Sequence, residues 1–179
     1  MGSEMCIRDR LLEADEKLEL ISMIEKKEYM SRRQELMSMM HKNSIAVISS
    51  APEKVRSRDT NYPYKQNVNL TYLAGFPEPE SVLVLIPDRE DGQVILFCRD
   101  KDPLRETWDG YREGPASAIK KYGFDDAFPI SDIDDILPNL IEGKDRLYYA
   151  VGKDAEFDKR IMEWVNHVTV SYTHLRAHE

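Results

Sequence analysis

SVLVLIPDREDGQVILFC, residues 81–98, holds two apolar, β-branched runs separated by a polar segment that ends on glycine. Runs of this length and composition predict strands. The joining DREDG, with Gly92 last, has turn chemistry, so the stretch predicts a β-hairpin. On both sides of it the pattern alternates between strand and helix. A hairpin inside such an alternating chain places antiparallel neighbours in a sheet that also has crossovers. The predicted fold class is therefore α/β, a mixed β-sheet with flanking helices.

Toward the N-terminus, residues 68–74 predict a further strand and IAVIS (45–49) a buried one. Residues 27–41 predict a helix, with Tyr29, Leu36, Met37, Met40 and the stem of Arg33 on one face. Asn43 suits its end. Toward the C-terminus, the polar residues 99–112 predict a loop that contains Trp108. Pro115 opens a helix that runs to Tyr122 and stops at Gly123. Ser131 with Asp134 predicts a capping box for a helix through Leu140, which Pro138 should kink or shorten. LYYAV (147–151) predicts a strand. Asp154 then caps a helix with Phe157, Ile161, Trp164, Val165 and Val168 on one face.

The 179 residues are 41% hydrophobic and 32% charged, a balance that fits one globular domain. A formal net charge of −8 argues against nucleic-acid binding, which needs a basic face. No apolar run approaches the roughly 20 residues of a membrane helix, and no secretory signal layout is present. The expected location is cytoplasmic, without a membrane partner.

MGSEMCIRD (1–9) and VSYTHLRAHE (170–179) resemble translated sequencing-adapter sequence and are set apart from the domain. Residues 10–27 read as a leader, helix-compatible over 11–22, and 28–169 as the domain proper. Without the two ends the net charge becomes −7, since two acids and one base leave the head and one of each leaves the tail. Cys6, His174 and His178 leave with them. Cys98 then stands alone, which rules out a disulfide.

No H-E-x-x-H, G-x-S-x-G, G-x-G-x-x-G or Walker loop is present. Asp132, Asp134 and Asp135 read as acids at a helix start, where the dipole favours them. His41 and His167 read as lying near helix ends, where a cation is favourable, and Cys98 closes an apolar strand. The expectation is no catalytic residue and no metal ligand in this chain. RDTNYPYKQNVNLTYLAGF (58–76) stands out by its Tyr62, Tyr64, Tyr72 and Phe76 beside the lone acid Asp59. It reads either as ordinary packing of aromatics or as a surface for a ligand.

YMSRRQELMSMM, RDTNYPYKQNVNLTYLAGFPEPESVLVLIP, ILFCRDKDPLRETWDG and AFPISDIDDILPNL resemble the N-terminal domain of Xaa-Pro aminopeptidase, also called aminopeptidase P. The resemblance runs from about residue 28 to 168. It implies a creatinase-like N-terminal domain without the pita-bread catalytic domain. In that separate domain two Mn²⁺ ions, held by two Asp, one His and two Glu, activate a hydroxide to release the residue preceding proline. By resemblance, Asp59 and Trp108 reach a neighbouring subunit's substrate pocket in trans. The implied partners are the chain's own C-terminal catalytic domain, further copies in a tetramer or dimer, and peptides with proline second. The chain alone is expected to be inactive. A prolidase-type dipeptidase domain and a non-catalytic peptide-binding or scaffold module are the alternatives.

Overall fold

A computed structural model describes residues 26–57 and 60–176 of the chain. The expectations for residues 1–25 and for Asp59 lie outside them, as do the side chains at 60–61, 108–109 and 169–176.

A helix, α1, occupies residues 26–39. It is followed by β1 (Ser44–Ser49), β2 (Val55–Ser57), β3 (Thr60–Asn61), α2 (Val68–Ala74), β4 (Val82–Leu85) and β5 (Val94–Cys98). Then come α3 (Pro103–Asp109), α4 (Pro115–Tyr122), β6 (Asp126–Pro129), a 3-10 turn, α5 (Ile133–Ile141), β7 (Arg146–Tyr149) and α6 (Ala155–Arg176). Five strands form one sheet in the order β6-β5-β4-β1-β7. β4 is antiparallel to β1 and β5, whereas β1 with β7 and β5 with β6 are parallel. The sheet is mixed, as the central hairpin predicts, and it sets Val82 opposite Phe97 and Leu85 opposite Val94.

β4 and β5 are buried at every position because helices cover both faces of the sheet, which is why they read as unbroken apolar runs. On one face Ala46, Leu83, Leu85 and Leu96 pack with Met37, Leu70, Leu73 and Ala118 from α1, α2 and α4. On the other, Ile45, Val47, Val84, Ile95 and Phe97 meet α5 and α6 through Ile133, Leu137, Phe157, Ile161 and Trp164.

Four local readings are corrected. Residues 68–74 form a helix and not a strand: Asn67 accepts from the Asn69 amide at its start, and Gly75, at φ 63°, stops it. Leu70, Leu73 and Ala74, spaced as on one helix face, take the core while Val68 stays 72% exposed. A Cβ on Gly75 would stand 2.5 Å from the Tyr29 ring, so the stop also admits α1. Trp108 lies in α3, where a loop is predicted; Asp102 accepts from the Leu104 and Arg105 amides, and Pro103 pre-sets the first turn. The Ser131 capping box does not form, because the Ser131 hydroxyl donates to Asp132 and a 3-10 turn leads into α5. α5 continues through Pro138 to Ile141; Pro138 is buried beside Leu137, and its carbonyl still accepts from Glu142 at 3.0 Å. The short edge strand β6 has no counterpart in the sequence reading. α6 starts on the Asp154 cap as expected, and its backbone runs to Arg176.

Candidate functional site

Two segments leave the body of the domain. The first is a ribbon in which β2 and β3 pair only with each other, Val55 opposite Asn61 and Ser57 opposite Thr60. Arg58 and Asp59 join these strands in the sequence and lie outside the described residues. All of β2 is exposed, Val55 to 69%, and Tyr62 just past the ribbon is 55% exposed. The second is the excursion from Arg99 to Glu113 that carries α3. Leu104 is 83% and Tyr111 61% exposed on it. Trp108 is the second-last residue of α3, and its side chain is among those not described.

The feet of both segments are tied by side-chain hydrogen bonds. Gln66 uses its whole amide: Oε1 accepts from the Ala51 amide, the Asn67 amide and the Tyr64 hydroxyl, while Nε2 donates to the Phe76 and Glu78 carbonyls. One side chain thus ties both legs of the ribbon to residues 76–78. Glu78 is itself only 8% exposed. Its Oε1 accepts from the Glu113 amide at 2.6 Å, and its Oε2 faces Arg99 Nη2 at 3.5 Å. Burial pushes the Glu113 carboxyl up, but bonds from Ser117 and Lys121 outweigh this and hold it below the usual carboxylate range. The legs of the excursion also pinch together: Gly114 adopts φ 74°, and a Cβ there would come within 3.1 Å of Lys101.

The four aromatics of residues 58–76 do not form one platform. Phe76 is fully buried, edge-on to Tyr122 with ring centroids 5.2 Å apart. Tyr72 lies under the Arg32 guanidinium at 4.5 Å. Tyr62 and Tyr64 face one groove, of about 510 Å³, which they line with Ser50, Pro52, Asn67 and Lys153, whereas Tyr72 lines a different one with Leu36 and Met39. The first has room for a short extended peptide or for side chains of a neighbour.

Asp134 is not a bare dipole partner, since it accepts from Arg160 at 2.9 Å and Trp164 at 3.1 Å and so locks α5 to α6. His41 and His167 are exposed. Among the described residues no three His, Cys, Asp or Glu side chains are grouped to hold a metal ion, and no helix is long and apolar enough to cross a membrane. The resemblance places its two Mn²⁺ ions in a separate catalytic domain, and the described residues offer no ligand group for them.

Cys98 is fully buried, and burial first, with nearby Glu78 and Asp100, pushes its thiol up to about 12. It is expected to resist a thiol reagent at pH 8 in the native chain and to react fully once unfolded. Rapid labelling at Cys98 itself, in a native chain carrying Cys6→Ser, would show that β5 opens locally.

The functional residues absent from the sequence reading are Gln66, Glu78, Arg99 and Glu113. For Gln66 and Glu78 the signal was visible but unassigned: amides and acids set among tyrosines and prolines, in Tyr-Pro-Tyr-Lys-Gln-Asn and Gly-Phe-Pro-Glu-Pro-Glu.

Residues 29–148 match the family model "Aminopeptidase P, N-terminal domain". The Xaa-Pro aminopeptidase of Escherichia coli (strain K12) is 42% identical over 139 residues, covering 77% of this chain and 32% of that protein. Among solved structures, Pseudomonas aeruginosa aminopeptidase PepP superposes with a TM-score of 0.80 at 53% identity, over 83% of this chain and 34% of its own. An Escherichia coli Aminopeptidase P variant in complex with substrate gives 0.75 at 39% identity, over 79% and 32%. The chain spans about a third of the length of these relatives.

Proposed function

This chain belongs to the Xaa-Pro aminopeptidase family as its N-terminal domain, and from that premise we propose that it serves oligomerisation and substrate access in a manganese-dependent enzyme. The parent enzyme removes an N-terminal residue that precedes proline, with two Mn²⁺ ions held in its C-terminal catalytic domain. This domain contributes Asp59 and Trp108 to the peptide-binding pocket of a neighbouring copy.

The observation that carries the reading is the pair of protruding segments. Each bears large apolar side chains on the outside, Val55 and Tyr62 on one and Leu104 and Tyr111 on the other, while its feet are fixed by hydrogen bonds that are part-buried in the first and buried in the second. Exposed aromatic and aliphatic groups on a hydrogen-bonded base suit a partner surface better than a solvated connection does. Asp59 and Trp108 belong by sequence to these two segments.

The test is Trp108→Ala in the full-length protein. Loss of a side chain that positions the peptide is expected to lower kcat/KM on an Xaa-Pro peptide by about tenfold to a hundredfold. Metal content and thermal midpoint should stay unchanged. Mixing these subunits with subunits mutated at a metal ligand should restore part of the activity in hybrid oligomers, one copy lending the tryptophan and another the metals. Full activity of the single variant would reduce Trp108 to ordinary packing.

A further inference from the structure

The two protruding segments share one anchor. Gln66 donates to the Glu78 carbonyl at 2.8 Å, and the Glu78 carboxylate binds the Glu113 amide and Arg99. The Ser81 hydroxyl also donates to the Glu78 carbonyl, at 2.9 Å, which fixes the residue from its C-terminal side. Gln66 thereby gathers the ribbon's feet at Ala51 and Tyr64, and Glu78 gathers both feet of the α3 excursion. Pro77 and Pro79 flank Glu78 and restrict its backbone.

Structural burial alone would not need this arrangement. A buried carboxylate opposite an arginine adds little net stability over an apolar pair of the same size, since desolvation offsets the attraction. What it supplies is a fixed geometry at the feet of both segments. We propose that Gln66 and Glu78 form a clasp of positioning residues that sets the β2–β3 ribbon and α3 at one fixed separation, so that both enter a neighbouring copy's peptide pocket together. The proposal rests on the in-trans reading of those segments, but its first test does not.

That first test is amide hydrogen exchange in the 179-residue chain. Glu78→Gln, which removes the charge facing Arg99, is expected to speed exchange across residues 101–112 about tenfold or more, with β1 and α6 unchanged. Should Glu78→Gln fold poorly, Glu78→Asp keeps the charge but shortens the reach to the Glu113 amide, and the same selective acceleration is expected. Gln66→Glu, which loses both donations to carbonyls, should loosen residues 51–57 and 60–64 in the same selective way. Exchange that is unaltered, or faster everywhere, would overturn the clasp.

The second test is a double-mutant cycle on kcat/KM in the full-length protein. A residue that acts through α3 should lose its effect once Trp108 is gone. Glu78→Gln is expected to cost about tenfold in the wild-type background and less than about twofold beside Trp108→Ala. Additive losses would show Glu78 to be merely structural. A silent Trp108→Ala would instead sink the in-trans reading, and the exchange data would then decide the clasp by themselves.

Discussion

Arg33→Met is expected to destabilise the domain by about 3 kcal/mol or more, because it strands one buried and two half-buried carbonyls at once. Arg33 is 1% exposed, and burial lowers its guanidinium to about 10, with Asp125 acting in the opposite direction. Its Nη1 donates to the Leu73 carbonyl at 3.2 Å, and its Nη2 to Tyr122 at 3.2 Å and Gly123 at 2.8 Å. Leu73 lies in the last turn of α2; Tyr122 ends α4, and Gly123 caps it. One cation on α1 therefore satisfies the orphan carbonyls and the negative dipole ends of two helices. Thermal unfolding should show a midpoint lower by roughly 6–12 °C. Arg33→Lys should recover only part of this, since a single ammonium lacks the planar fork that reaches both helix ends. A loss below about 1 kcal/mol would mean that water replaces the guanidinium at these carbonyls.

Phe97→Ala should cost about 3–5 kcal/mol through lost burial and the cavity left behind. Phe97 is fully buried on β5, paired across the sheet with Val82 on one side and Phe128 on the other. Its ring centroid lies 5.8 Å from that of Phe128. Neighbours held in a sheet buried on both faces have little freedom to collapse into the gap. Denaturant titration should show a lower midpoint with an unchanged slope. Val68→Ala, at a 72% exposed position, serves as the contrast and should change stability by less than about 0.5 kcal/mol. Similar losses at both positions would mean that the core is not where the burial pattern places it.

The sheet was legible because its strands are uniformly apolar and its hairpin is local. β4, β5 and β1 announce themselves by composition, and α6 by its spaced face and its Asp154 cap. Residues 68–74 misled because Val68, Leu70 and Tyr72 alternate as in a strand. The cap at Asn67 and the stop at Gly75, both written in the sequence, carried more weight than the alternation. α3 was hidden by polarity: it is short, and its lone leucine is exposed. β6 is an edge strand of four half-buried residues, too short for a period to show. Arg33 was placed on the correct face for its stem, but its charged end is the part that matters. Its acceptors lie 40, 89 and 90 residues away, beyond any local pattern. The segments proposed to meet a partner were legible only through resemblance, whereas Gln66 and Glu78 acquire their roles from contacts that no spacing rule encodes.

The parallel pairing of β1 with β7 sets an order of events during synthesis. Ser44 faces Arg146 and Val47 faces Tyr149, so β1 waits about a hundred residues for its second neighbour. The hairpin of β4 and β5 closes over a handful of residues and can form early, whereas pairing across so long a separation carries a larger loop-closure cost and comes late. Until Tyr149 has left the ribosome, one side of β1 offers unpaired backbone beside Ile45, Ala46 and Val47, a template for pairing with another nascent chain. A ribosome that stalls between β6 and β7 would expose that edge for as long as it pauses.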